Sequence, residues 1–279
     1  MEKSSNFFLI HNFNTVPDEL LALCSDYLIY DCSTDTDTKQ KLHDRNLSVK
    51  DVANTGHNIT TYFSFFDEYY DNLPEVICLL KGNMIGRHCS MEFFRQVMDN
   101  KSFTFLYDEK QYWDKFAKFD GENQKNEAGN TFLAMENVYV EKNTSWYVES
   151  PNHPKKYFND VDDLLRFIYK KPMIPQYFMF SPGACYIIRR EQVLSHSREF
   201  YRNLNKLMNY GMNPGFPSEA HQVERILPIL FTSLSETNEW MDDEIAFENK
   251  LPECSAYIQY KYDNRPRKFK KLRKLLGLI

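Results

Sequence analysis

Cysteine, tryptophan and glycine are scarce in this chain: six, three and nine of them among 279 residues. The cysteines, at positions 24, 32, 78, 89, 185 and 254, form no Cys-x-x-Cys pair. That spacing argues against a zinc ribbon or a disulfide framework, and Cys78 and Cys185 lie in apolar, strand-like runs, so reduced and mostly core-packing thiols are expected. Long hydrophobic runs are missing as well. Near the start only four apolar residues, Phe7 to Ile10, stand together. This is too short for a signal-peptide core or a membrane span, and a cytosolic protein is expected.

What the chain does hold is apolar bulk, with 42% hydrophobic residues, 22 Phe and 18 Tyr. That is enough to offset the entropy of ordering a full-sized core. The net charge of −5 conceals an asymmetry: from Lys261 onward eight basic residues stand against Asp263 alone, so the tail carries +7 and the rest of the chain −12. So acidic a body does not offer the broad basic face that nucleic acid needs.

The first half alternates short apolar runs with helical patterns, which predicts a parallel sheet with crossover helices. Strands are expected over 6–13, 26–33, 48–54 and 75–82, and helices over 17–24 and 59–73, with the polar run 33–40 as a loop. Beyond Ser90 come a helix at 91–100, a hairpin within 132–150, a short helix capped by Asp160, a buried strand at Ala184–Ile188 and two late helices. Val76 to Leu80 has the apolar continuity of a strand buried on both faces. It leaves the sheet through Lys81, Gly82, Asn83, Arg87 and His88. Ligands of open α/β sheets sit at the carboxyl ends of strands. Lys81, Arg87 and His88 would there supply positive charge, and Gly82 and Gly86 would let backbone N–H groups approach phosphate.

Two runs resemble a known family. NTGHNITTYFSFFDEYYDNLPEVICLLKG (54–82) and PGACYIIRREQVLSHSREFY followed by SEAHQVERILPILF are similar to motifs of glycosyltransferase-like proteins from fungi, bacteria and large DNA viruses. The same layout resembles the metal-independent branching N-acetylglucosaminyltransferases and the sugar transferases with which chloroviruses build capsid glycans, β-xylosyltransferases among them. One departure is His57-Asn58, where relatives commonly carry arginine and glutamate.

The resemblance implies a GT-A-like, Rossmann-like α/β fold: one large domain over 1–260, its nucleotide half about 1–110 and its acceptor half about 111–260, followed by the basic tail 261–279. It further implies an inverting transferase that moves a sugar from a nucleotide sugar, UDP-xylose in first place, to a glycan or glycoprotein hydroxyl, in the cytoplasm of an infected host if the chain is viral. The alternatives are another donor sugar (rhamnose, fucose or N-acetylglucosamine) or a carbohydrate-binding protein on the same fold.

By the same resemblance, a glutamate near the start of a late helix is the general base. Glu219 fits that place, with Glu224 the runner-up and Arg225 a supporting residue or an ion-pair partner. Asn12, Asn14, Asp31, Asn54 and Gly56, at the predicted strand tips, would shape the nucleoside pocket, although each also suits an ordinary turn. No obligatory metal is expected. Of the two Asp-x-Asp strings, Asp35–Asp37 falls in a polar loop and Asp160–Asp162 precedes a helix, where acids cap; Asp160–Asp163 is the place for manganese or magnesium if one is needed. Trp113, Trp146 and Trp240 are the aromatic candidates for the acceptor. Arg265 and Lys268 in the tail would fold back on the diphosphate, or the tail would lie on an anionic membrane.

Overall fold

The computed structural model describes residues 3–55, 57–108, 118–120, 123–125, 131–135, 137–143, 156–209 and 218–263. Six strands form the main sheet: β1 Ser4–Asn12, β2 Cys24–Asp31, β3 Val49–Asp51, β4 Val76–Lys81, β5 Thr104–Phe105 and β11 Tyr186–Arg189. They lie in the order β3-β2-β1-β4-β11-β5. The first four run parallel, while β11 and β5 close the edge antiparallel. A second sheet is antiparallel throughout, in the order β10-β9-β8-β7-β6. Its strands are β6 Lys118–Asp120, β7 Asn123–Lys125, β8 Thr131–Met135, β9 Val138–Lys142 and β10 Tyr177–Phe180.

Period-two alternation sends successive side chains of the main sheet to opposite faces. Leu9, Tyr30, Ile77, Leu79, Tyr186 and Ile188 join one core, with α3 Ile59–Glu68, α5 Val161–Ile168, α7 Arg198–Met208 and α8 Ser218–Thr232 packed over them. Phe8, Ile10, Ile29, Cys78, Leu80 and Ile187 join the other, under α1 Asp18–Leu21, α2 Thr36–His43 and α4 Met91–Val97. Both faces are covered, which is why β4 tolerates no polar residue until its last position. The remaining helices are α6 Arg190–Val193 and α9 Glu244–Asp263.

An α/β chain with a mostly parallel sheet agrees with the expectation. The run 33–40 does not behave as a loop, because Asp35 caps α2 by accepting from Thr38 N at 2.8 Å. Asp160 caps α5 in the same way, accepting from Asp163 N at 2.9 Å. Both Asp-x-Asp strings therefore start helices. Strands β6 and β7 and helix α9 have no counterpart in the expected pattern. All six cysteines are free, five of them buried. Among the described residues no helix is long and apolar enough to cross a membrane.

Leu79, fully buried at the centre of β4, gives a direct check of this core. Leu79→Ala should lower the stability to urea by about 2–5 kcal/mol through lost transfer energy and a residual cavity; an unchanged urea midpoint would contradict the packing.

Candidate functional site

The sheet changes direction beside β1. The chain steps from β1 outward to β2 and β3, then returns to place β4 on the other side. The crevice at the carboxyl ends of β1 and β4 is therefore a topological switch point, where open α/β sheets bind ligands. The register sets His11 opposite Lys81, and Gly82 N donates to the His11 carbonyl at 2.8 Å.

Around the half-buried Lys81 stand several groups that sense its charge: His11, His88, Cys32, Cys185 and Glu224. Burial, helped by Lys81 and His57, pushes the His11 imidazole down to about 3. Burial also takes His88 to about 3, with Lys81 and Arg87 adding to it, and His57 to about 4. His11 Nδ1 lies 3.0 Å from Thr61 Oγ1, and its Nε2 lies 3.5 Å from Cys32 Sγ. The imidazoles are thus neutral at ordinary pH, so His88 does not supply the positive charge expected of it.

Glu224 approaches from α8. Its Oε1 accepts from Gly183 N at 2.7 Å, and its side chain is 20% exposed. Burial holds its carboxyl above the ordinary glutamate range, against the opposing pull of Arg225, the Gly183 N–H and Lys81. A carboxylate with raised proton affinity, reachable from solvent and next to a cation, can accept a proton from a bound hydroxyl.

Glu219 occupies a different place. It is fully buried, and its Oε1 accepts from the backbone N–H groups of Lys156 at 2.8 Å and Tyr157 at 2.7 Å. It ties the start of α8 to the chain before α5, and the expectation of Glu219 as the general base is corrected on that burial and that structural role. Arg225 is not paired with Glu224 first. Its Nη2 donates to Glu141 Oε2 at 2.8 Å, with both side chains almost wholly buried, while Glu224 is 4.0 Å away. This pair fastens α8 to β9.

Asn12 and Asp31 do come together, but beneath the rim, while Asn14 next to them is exposed. Asn12 Nδ2 donates to Asp31 Oδ1 at 2.8 Å and to the Thr15 carbonyl at 2.8 Å, and Ser33 Oγ donates to Asp31 Oδ1 at 2.6 Å. Asn12 and Asp31 have no exposure, so they order the strand tips and do not face a nucleoside. Asn14, at φ 51°, accepts from Thr34 N and Asp35 N. The missing side chain of Gly82 has a direct cause: a Cβ there would lie 2.4 Å from Asn12 Oδ1 and 2.8 Å from Thr15 Oγ1.

Asn54, Asn83 and Arg87 are exposed, the last two on the loop after β4. Trp240 donates from its indole to the Phe167 carbonyl at 3.0 Å and packs against the core, which removes it from the acceptor candidates. Gly56, Trp113, Trp146, Arg265 and Lys268 lie outside the described residues. Among the described residues no group of three His, Cys, Asp or Glu side chains converges to hold a metal ion. Sequence reasoning missed His11 and Gly183. The string Ser181-Pro182-Gly183-Ala184 did carry a signal, since Pro then Gly at the centre is the signature of a type II turn.

Because the folded-state His11, His57 and His88 values fall below 6.5, the unfolded chain binds more protons than the native one between pH 6.5 and about 3 to 4. Their contribution to stability is complete above pH 6.5 and is lost progressively as the pH falls from that value through about 4 to 3. Urea midpoints measured from pH 7 to pH 4 should fall, and a His11→Gln/His88→Gln double variant should show a shallower slope; equal slopes would contradict the burial of neutral imidazoles.

No curated protein and no solved structure matches the chain. Residues 25–240 match the model of a family described as a protein of unknown function, DUF3431, a span that holds Asn58, Lys81, His88, Gly183 and Glu224. The chain belongs to that family.

Proposed function

We propose that this chain is an inverting, GT-A-like glycosyltransferase that moves a sugar from a nucleotide sugar, UDP-xylose in first place, to a hydroxyl of a glycan, as in the viral glycan-building enzymes its sequence resembles. The observation that carries the reading is the juxtaposition of Lys81, at the switch-point crevice, with the partly exposed Glu224 carboxylate. A diphosphate leaving group needs positive charge where its negative charge develops. Lys81 supplies it from the end of β4, and the exposed Arg87 adds to it from the following loop.

Glu224 is the general base of this reaction. It takes the proton of the acceptor hydroxyl as that oxygen bonds to the anomeric carbon; the bond from that carbon to the diphosphate breaks, and the diphosphate departs with its electron pair. A single displacement of this kind inverts the anomeric centre. The neutral imidazoles of His11 and His88 add no charge that would repel Lys81.

Turnover of UDP-xylose and of a panel of other nucleotide sugars, with EDTA and with manganese, tests the reading. Glu224→Gln should bind donor nearly as the parent does and lose ~10² to 10⁴ in transfer rate, while Glu219→Gln should mainly lower stability. Undiminished transfer by Glu224→Gln would remove it as the base. No turnover of any nucleotide sugar by the parent protein would favour a carbohydrate-binding role.

A further inference from the structure

Asn58 stands at the N-cap of α3, where asparagine is favoured because its side chain can accept a backbone N–H bond worth ~1 kcal/mol. It makes no such bond. Its Nδ2 instead donates to Tyr62 Oη at 2.7 Å and, across the fold, to the Gly183 carbonyl at 2.8 Å. The residue is 5% exposed, so this amide is committed to the interior.

Gly183 belongs to the turn that links β10 of the second sheet to β11 of the first. Ala184 N donates to the Ser181 carbonyl at 2.8 Å, and Gly183 has φ +83°, as the third residue of a type II turn requires. The turn has little room to move: a Cβ on Gly183 would lie 2.8 Å from His88 Cδ2. One residue thus receives Asn58 at its carbonyl and donates its N–H to Glu224 Oε1 at 2.7 Å.

We propose that Asn58 is a positioning residue for Glu224, acting through Gly183: it fixes the Ser181–Ala184 turn so that one backbone N–H orients the carboxylate. The inference rests on the reading of Glu224 as the base.

Other groups act on Glu224 as well: Lys81 from β4, Arg225 and His221 from its own helix, and Glu141 from β9. Losing the Gly183 N–H would disfavour the charged carboxylate and raise its proton affinity.

The test compares the parent, Asn58→Ser and Tyr62→Phe as full chains. Serine keeps the ability to cap α3 but is too short to reach Gly183, whereas Tyr62→Phe removes the other partner of the Asn58 amide. The titration of Glu224 is read from the carboxyl signal that disappears in Glu224→Gln, by isotope-edited infrared or carbon NMR. Asn58→Ser should raise its midpoint by about one pH unit, and the acidic limb of the pH profile for transfer should move with it at nearly constant KM. Tyr62→Phe should leave both in place. Should Asn58→Ser not fold, the near-isosteric Asn58→Leu serves in its stead.

A midpoint that is the same in the parent and Asn58→Ser, or that moves equally in Tyr62→Phe, overturns the positioning role even if sugar transfer is demonstrated. A midpoint that moves as stated in a chain that turns over no nucleotide sugar upholds the link from Asn58 to Glu224 and removes the catalytic reading instead.

Discussion

The candidate site depends on the parallel pairing of β1 with β4. A strand covered on both faces can release a charged side chain only where it ends, and β4 ends at Lys81. The register of that pair then decides what Lys81 meets: His11 across the strand boundary, and Gly82 donating its N–H to the His11 carbonyl. Because β1 is flanked by β2 on one side and β4 on the other, this meeting falls at the switch point, where two crossovers leave a crevice.

Electrostatics follows from that position. Lys81 acts on two buried imidazoles, His11 and His88, whose proton affinity is suppressed chiefly by burial and further by the lysine itself. Glu224 is also set apart by burial, in the opposite sense, so that the carboxylate side of the crevice holds protons more readily than a free glutamate. Two kinds of titratable group are thus driven apart by one low-dielectric environment, a pattern that separates acid–base roles in enzymes. The buried Arg225–Glu141 pair is a different device. It anchors the helix that carries Glu224 to the second sheet, with Arg225 also lying over the Phe180 ring.

Much of this was legible in the sequence. The apolar continuity of Val76–Leu80 marked a strand buried on both faces, and the polar residues after it marked where that strand ends; both follow from local pattern. Asp160 before an amphipathic run announced a helix cap. The polar run 33–40 misled because its only apolar anchor, Leu42, lies beyond it, and the helix is set by a cap at Asp35. Glu219 and Glu224 could not be told apart in one dimension. They lie five residues apart on a helix, and only the packing of α8 shows that one holds backbone N–H groups while the other reaches the crevice. Asn58 and Gly183 are 125 residues apart, and no local pattern links them.

In the proposed reaction the crevice between β1 and β4 takes a nucleoside diphosphate through Lys81. Calorimetric titration of UDP into the parent protein and into Lys81→Met, both in EDTA, tests it most directly. The account predicts saturable binding by the parent and a loss of at least about tenfold in affinity, or about 1.4 kcal/mol, in the variant. Equal affinity in the two proteins would place the diphosphate elsewhere and contradict the account.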